Sequence, residues 1–375
     1  MAIADRWNAV AASMHPRSIF LQHEWFTAAW AWRRKSAQMH MRVARRGNDI
    51  VGVLPLVSNN EARPRVLQYE LLTVPDTQLA DVICAPSDAE DVARAIAAHV
   101  ASDVKWDTLR LDLLRPDGPA VNALVKALTR HDIEVVERDG GRNFFINLDG
   151  DWRQYYATRS RRLKKSINLA ANRLQRSGEI RIDRIDCRRW HEPNDVLDTV
   201  IDISARSWKR DTGNTLNWPG PQAFIRTLSQ RASENNWLEI WLLRVADKPL
   251  AMEYGLVFEG NVYALRADFD ASCVKVSPGA HLFRYQLEAL FQNGLRRYYM
   301  GRGENAYKLR WADQSESLRQ VIAYNRTPNG RLEWLREEVI KPAFRKTRDA
   351  LRTHEKGTLR STRDSKKIVS RSEDG

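Results

Sequence analysis

Cysteine is scarce in this sequence. Cys84, Cys187 and Cys273 stand far apart and show no metal-ligand spacing. That excludes a disulfide scaffold and a thiolate zinc site, and it fits a reducing compartment. No run is long and apolar enough to span a bilayer, and Met1 to Trp7 carries no signal-peptide apolar region. The expectation is a cytoplasmic protein without a transmembrane segment. The chain also lacks a Gly-x-Ser-x-Gly elbow, a Walker-type loop and a His-Glu-x-x-His pair. Hydrolase-elbow, P-loop and zinc-peptidase chemistry lose their usual carriers.

Acid is missing from one long stretch. Arg153 to Gly178 carries eight Lys or Arg and no Asp or Glu, and Lys341 to Gly375 carries eleven Lys or Arg against five acids. The net charge of +13 sits in these two segments, and the rest of the chain is close to neutral. Basicity is therefore two local devices, which argues against a whole domain built as a nucleic-acid platform. In Asp151 to Gly178, Leu163, Ile167, Ala170 and Leu174 fall on one helical face, and Gly178 stops the pattern. The other faces are either a solvated basic surface or a clamp for a polyanion. The phosphates of a cofactor, a nucleic acid or an anionic membrane surface would each suit such a clamp.

A length of 375 residues with 43% hydrophobic content suits two folded units. Thirteen tryptophans is a high number, and four aromatics bunch at Trp25, Phe26, Trp30 and Trp32 on a helix read as Ile19 to Lys35. Met41 to Arg45 and Ile50 to Val57 read as a hairpin around Arg46-Gly47-Asn48-Asp49. Helices follow at Ala89 to Ser102 and Pro119 to Arg130, with strands at Trp106 to Leu113, Ile133 to Val136 and Asn143 to Leu148. The same grammar returns later: helices at Val196 to Lys209 and Pro221 to Glu234, then strands Trp237 to Val245 and Leu250 to Phe258. The segments RVARRGNDIVGVLPLV and LRVADKPLAMEYGLV echo one another, as two copies of one unit would. The expected organisation is α/β (α+β): a unit over 1–150, a basic connecting helix over 151–178, a unit over 179–330, a C-terminal helix over 331–353 and a disordered basic tail over 354–375.

The chain centres on Val262 to Trp311. A β-rich run, Val262 to Phe269, passes through a polar loop into Ser277-Pro278-Gly279. Ser277 suits an N-cap, Pro278 the first helical position, and Gly294 the position past the end. Leu282, Phe283, Leu287, Leu290 and Phe291 give that helix an apolar face. A strand feeding a helix N-terminus through a tight loop presents free N–H groups and the positive end of the helix dipole, an anion site to which Lys275 adds charge. A second short strand, Arg297 to Met300, and the turn Gly301-Arg302-Gly303-Glu304 follow.

These pieces resemble a known family. Ser207-Trp208-Lys209 at a helix end, Leu250 to Gly255 opening a hairpin strand, Ser277-Pro278-Gly279, and Gly301-Arg302-Gly303-Glu304 running into Tyr307-Lys308 look like the GNAT acyltransferase fold. They resemble most its FemAB/CelD-like branch, associated with cell-envelope, cellulose and exopolysaccharide biosynthesis. The resemblance covers about Ser18 to Asn325. It implies tandem GNAT-like units, each a mixed, mostly antiparallel sheet flanked by helices, with the better preserved site in the second. It implies transfer of an acyl group from an acyl-CoA, acetyl or longer, to an amine of an envelope or polysaccharide precursor or a related small molecule, without a metal. The pyrophosphate cradle falls on Lys275 to Ala280, so Lys275, Ser277, Gly279 and Ala280 are its residues. The glycine-rich loop usual in acetyl-CoA users is absent here, where a single Gly279 stands behind Ser-Pro. FemAB-type relatives imply two other donors, an aminoacyl-tRNA or an acyl carrier. A non-catalytic partner in polysaccharide biosynthesis is the reading from outside catalysis, and the basic segments allow peripheral membrane contact.

Acyl transfer needs a base for the amine, a donor for the oxyanion and an acid for the leaving group. Glu253, Asp268, Arg266 and His281 lie on or just beyond the central strands as base or substrate clamp. Glu253 is the most pointed, because it interrupts an apolar strand and a buried carboxylate is costly unless it works or is paired. Asp268 and Arg266 either pair with one another or serve the site. The resemblance places Tyr307 as the acid, Arg302 and Lys308 as holders of a phosphate or carboxylate, and Trp208 and Lys209 at the acceptor pocket.

Overall fold

The computed structural model describes residues 3–59, 66–186 and 193–344. The expected basic tail and residues 345–353 of the expected last helix lie outside them, as does Cys187. The first half runs α1 (Ile3–Ala12), α2 (His23–Arg33), β1 (Ala37–Met39), β2 (Arg42–Arg46), β3 (Asp49–Leu54), β4 (Leu56–Asn59), β5 (Gln68–Leu71), β6 (Ile83–Cys84), α3 (Ala89–Ser102), β7 (Thr108–Leu114), α4 (Pro119–Thr129) and β8 (Glu134–Asn147). Helices α5 (Trp152–Thr158) and α6 (Arg161–Ser177) connect it to the second. That half runs β9 (Ile180–Asp186), α7 (Pro193–Ala205), α8 (Pro219–Glu234), β10 (Leu238–Val245), β11 (Lys248–Phe258), β12 (Asn261–Phe269), α9 (Pro278–Phe291), β13 (Arg297–Arg302), α10 (Lys308–Trp311), β14 (Gln314–Tyr324) and α11 (Pro328–Trp334).

The fold is mixed α/β, with one large mixed sheet flanked by helices. Eleven strands form it in the order β1-β4-β5-β7-β14-β8-β13-β12-β11-β10-β9, and β2-β3-β6 form a separate small sheet. The two echoing segments are hairpins, β2–β3 in the first half and β10–β11 in the second. Each half also holds one short parallel pair. β5 meets β7 over Gln68–Thr108 to Glu70–Arg110, and β12 meets β13 over Asn261–Arg297 to Tyr263–Tyr299. Beyond Tyr263 and Tyr299 no further β12–β13 pairing is made, so the sheet splits there into a wedge.

The halves are tied by exchange. β14, from the second half, lies between β7 and β8 of the first, and β8 pairs with β13 of the second. One core packs α1, α2, α7 and α8 on one face of the sheet, with Trp25 of α2 edge-on to Phe224 of α8 at 5.4 Å. On the opposite face, α9 buries Leu282, Phe283, Leu287 and Leu290, while α6 buries Leu163, Ile167 and Leu174.

Several expected boundaries move for physical reasons. The segment from Asp151 is two helices, because Ser160 starts afresh and its hydroxyl accepts from the Leu163 N–H. The aromatic helix begins at His23, after a 3₁₀ turn over Ile19–Leu21 whose entry Ser18 caps. The two expected closing strands are a single strand, β8, which stays paired with β14 on both sides of a bulge at Gly140 and Gly141. The last helix starts at Pro328, and Thr327 caps it.

Candidate active site

The wedge between β12 and β13 gathers the ionisable side chains of both sheet faces. Strand alternation on β11 puts Met252 and Tyr254 in the core beneath α2 and α8, so Glu253 between them faces α9. There its carboxyl, 3% exposed, meets the Gln286 carboxamide 3.1 Å from both its oxygens. With its nitrogen turned toward them, the amide donates to both oxygens. Burial pushes the Glu253 carboxyl up to about 8, opposed by the Gln286 hydrogen bond and the charge of Lys209.

Asp268 and Arg266 do not pair with one another, contrary to one of the readings of the sequence. Arg266 donates to Asp76 at 2.7 and 3.0 Å and to the Asn214 carbonyl at 2.8 Å, an anchored pair between the halves. The Asp76 carboxyl is held above its usual range by burial, with Arg266 working against that. Asp268 receives Lys209 Nζ at 2.8 Å and the Ser204 hydroxyl at 3.0 Å. Asp76 thus ties the loop after β5 to β12. Asp268 serves the site by fixing Lys209, whose Nζ also donates to the Ala267 carbonyl at 3.1 Å.

Trp208, 61% exposed, stands over Lys209 at the rim of the wedge, with Nζ 5.8 Å from the ring. Tyr307 packs its ring on Phe283 at 5.4 Å. Burial, with Glu253 and Tyr155 nearby, holds its phenol well above the usual value. Lys308 donates to the carbonyls of Gly301 at 2.8 Å and Arg302 at 2.5 Å. Burial, helped by Arg302 and Lys209, lowers its ammonium to about 8. Gly301, at the bulge of β13, has φ +80, and Gly303, in the turn between β13 and α10, has φ +84, a region that favours glycine.

The expected phosphate cradle lies at the start of α9, on the same helix as Gln286. Its helix start departs from the sequence reading. Ser277 occupies the N-cap position but in the left-handed region, φ +51, and makes no cap. Its hydroxyl donates to the Val274 carbonyl instead, so no side chain caps the first-turn amides. The Lys275 carbonyl accepts from Arg173 of α6 at 2.8 Å, bringing the basic helix against this loop. Gly279 packs close to Phe269: a Cβ there would lie 3.2 Å from the ring. Ala280 packs into the α9 core. His281 is half-buried, its Nδ1 has no partner, and burial lowers its pKa, so the ring is neutral at pH 7.

The structure therefore joins Glu253, Lys209, Tyr307 and Lys308 around the wedge, and sets Lys275, Ser277, Gly279, Ala280 and His281 at the head of α9. Sequence reading missed Gln286, Arg173, Asp76 and Gln78. Gln286 had a signal, since it is the polar residue on the apolar stripe of α9. Asp76 and Gln78 had none, because they come from a loop some 190 residues away from Arg266 and Ala264. A cleft of about 1030 Å³ opens between the halves, lined among others by Arg17, Arg115, Tyr263, Arg297, Tyr299 and Glu316, and Glu253, Lys209, Tyr307 and Lys308 do not line it.

Residues 161–309 match the family model described as an acetyltransferase (GNAT) domain. No curated protein sequence matches the chain. Among solved structures, FemX is 12% identical with a TM-score of 0.58, over 89% of this chain and 98% of that one. The C-terminal domain of a putative lysylphosphatidylglycerol synthetase from Agrobacterium fabrum is 14% identical with a TM-score of 0.54, over 85% and 90%. A conserved protein of unknown function from Bacteroides thetaiotaomicron is 13% identical with a TM-score of 0.53, over 87% and 98%. At these identities the likeness is one of fold.

Proposed function

We propose that this protein is an N-acyltransferase that moves an acyl group from an acyl-CoA-like thioester to an amine. The acceptor class we assign is a cell-envelope or polysaccharide precursor, or a related small molecule. The observation that carries this reading is the wedge: the sheet parts at Tyr263 and Tyr299, and a raised carboxyl, a lowered ammonium and a phenol stand around the opening.

In this reading the uncapped start of α9, with Arg173 and Lys275 beside it, takes the donor's phosphates through backbone N–H groups. Glu253, as carboxylate, removes the proton from the amine. Its poise near 8 suits a base working close to neutral pH. Lys308 offers a donor to the carbonyl oxygen that becomes an oxyanion. Tyr307 returns a proton to the departing thiolate, and its raised pKa keeps it protonated until then. Lys209 and Trp208 border the acceptor. The amine nitrogen bonds the acyl carbon as the thioester C–S bond breaks, and no metal is required.

A second donor is favoured by one observation. α6 carries Arg161, Arg162, Lys165 and Arg176 on exposed faces, and its Arg173 grips the loop before α9. An aminoacyl-tRNA ester would use that surface, and binding would then fall steeply with salt. The test is a thermal-shift titration with coenzyme A, acetyl-CoA and a long-chain acyl-CoA at low and near-physiological salt, followed by thiol release with simple amines. A saturable rise that survives salt, with release, supports the thioester donor. A shift abolished by salt moves the donor to tRNA. Failure with every donor leaves a binding module.

A further inference from the structure

The last helix carries its amphipathic pattern reversed. α11 runs on through a π-helical turn, Leu335–Ile340, as far as Phe344. Its start is fixed against the first half of the chain. The Thr327 hydroxyl donates to Asp107 at 2.5 Å, and a Cβ on Gly330 would lie 2.8 Å from the Asp107 carbonyl oxygen. Acids serve on the side that meets the protein. Glu333 is buried, and Glu338 accepts from the Tyr324 hydroxyl at 2.5 Å and pairs with Arg138 of β8. The apolar side chains are turned to solvent instead: Leu332, Leu335, Val339, Ile340 and Phe344 are between 41% and 72% exposed. A helix that served only to cover the sheet would bury those five and expose its acids. Large apolar groups strung along one exposed helix mark a surface that something covers.

Charge selects what covers it. The helix itself is balanced, with Arg331, Arg336 and Lys341 against Glu333, Glu337 and Glu338. The surplus comes directly after the exposed Phe344, in Arg345, Lys346, Arg348 and Arg352, and residues 345–375 hold ten Lys or Arg against five acids. That tail is a poor cover for the ridge, because it has no aromatic residue and its large aliphatic groups, Leu351, Leu359, Ile368 and Val369, are scattered. A second copy of the chain would bring the same positive charge against its own. An anionic lipid surface meets both features at once. Apolar side chains enter the acyl boundary while the cations stay among the headgroup phosphates, and a fluid leaflet demands no matching shape.

We infer that the ridge from Leu332 to Phe344, with the basic sequence that follows it, is a docking face for an anionic phospholipid leaflet. The helix lies in the plane of the interface with its exposed apolar side chains toward the lipid. The two features work together, since a short apolar ridge alone binds a membrane weakly and charge alone is screened by salt. This inference does not rest on the acyl-transfer reading.

The experiment is cosedimentation of the full chain with phosphatidylcholine vesicles, and with vesicles that also hold phosphatidylglycerol, at low and near-physiological salt. Two full-length variants accompany the wild type. One carries Leu332→Gln, Val339→Gln and Phe344→Gln, which removes only exposed apolar groups and should leave the melting temperature in place. The other carries Arg345→Gln, Lys346→Gln, Arg348→Gln and Arg352→Gln. The wild type should bind the anionic vesicles roughly tenfold or more tighter than the neutral ones. Each variant should lose roughly tenfold or more on the anionic vesicles, and binding by the second should depend less on salt. Equal affinity of the wild type for the two kinds of vesicle overturns the proposal. An apolar variant that binds like the wild type overturns it too, because another basic surface, such as α6, would then hold the lipid. Absence of binding by the wild type also overturns it. Self-association of that protein in sedimentation velocity, lost in the apolar variant, would then assign the ridge to a second copy.

Discussion

Glu253 is the residue on which most of the chemistry turns, and its environment makes two separable demands. As a base it must ionise, so activity should rise with pH toward its pKa of about 8. Lys308 must stay charged, so activity should fall above its own value of about 8. A narrow bell centred near pH 8 in kcat/KM is the expected profile. Lys308→Arg stays charged at any working pH and should open the alkaline limb, at a cost in rate from the changed donor geometry. A plateau in the wild type between pH 6 and 10 would remove both groups from the reaction. Glu253→Gln should lower kcat/KM by roughly 10²–10⁴-fold with the fold intact. It should also raise stability on the alkaline side. The native carboxyl keeps its proton between pH 4.5 and about 8, where the unfolded chain has released it. Wild-type stability therefore falls as pH climbs through that window, and the glutamine variant escapes the fall. Melting temperatures at pH 5 and pH 9 check this: the variant should gain on the wild type only at the higher value.

At the scale of elements, α6 and α9 act together. Arg173 of α6 holds the Lys275 carbonyl, and so the loop whose geometry leaves the start of α9 uncapped. Arg173→Ala should weaken coenzyme A by about tenfold, since bonds from charged donors contribute on the order of 1.5–3 kcal/mol. The melting temperature should move little, because the arginine lies at the surface. Unchanged affinity would detach α6 from the donor site. The sequence made much of these helices legible. Start residues, apolar spacing and stop glycines located α3, α4, α8 and α9 to within a few residues, because those signals are local. Ser277 shows where local reading stops. A serine before Pro-Gly predicts a cap, yet the preceding 3₁₀ turn drives it into a left-handed conformation in which its hydroxyl points back to Val274. The partners of Arg266 and Asp268 were illegible for a related reason. Arg266 and Asp268, two apart on β12, share a face, yet each found its partner on a different element, Asp76 and Lys209.

For the whole molecule, the α/β character and the repeated hairpin grammar could be read from pattern, whereas the order of strands could not. Nothing in Gln314 to Tyr324 signals that it belongs between β7 and β8. Its alternation fits any sheet with one covered face, and its register was set by neighbours distant in sequence. A chain ending at residue 313 should therefore lose more than its last strand. β7 and β8 would face each other across a missing ladder, and both would be open edges. Such a truncation is expected to aggregate or to unfold without a cooperative transition, as read by calorimetry. A sharp transition near the full-length value would show that the first half completes itself.

The same strand exchange sets a schedule for synthesis. The ribosome delivers β7 and β8 roughly 200 residues before the strand that separates them, at about 5–20 residues per second. For on the order of ten seconds or more the first half waits with a gap in its sheet, and it closes only when Tyr324 has cleared the exit tunnel. A chaperone that shields strand edges would have its main business with this protein in that interval.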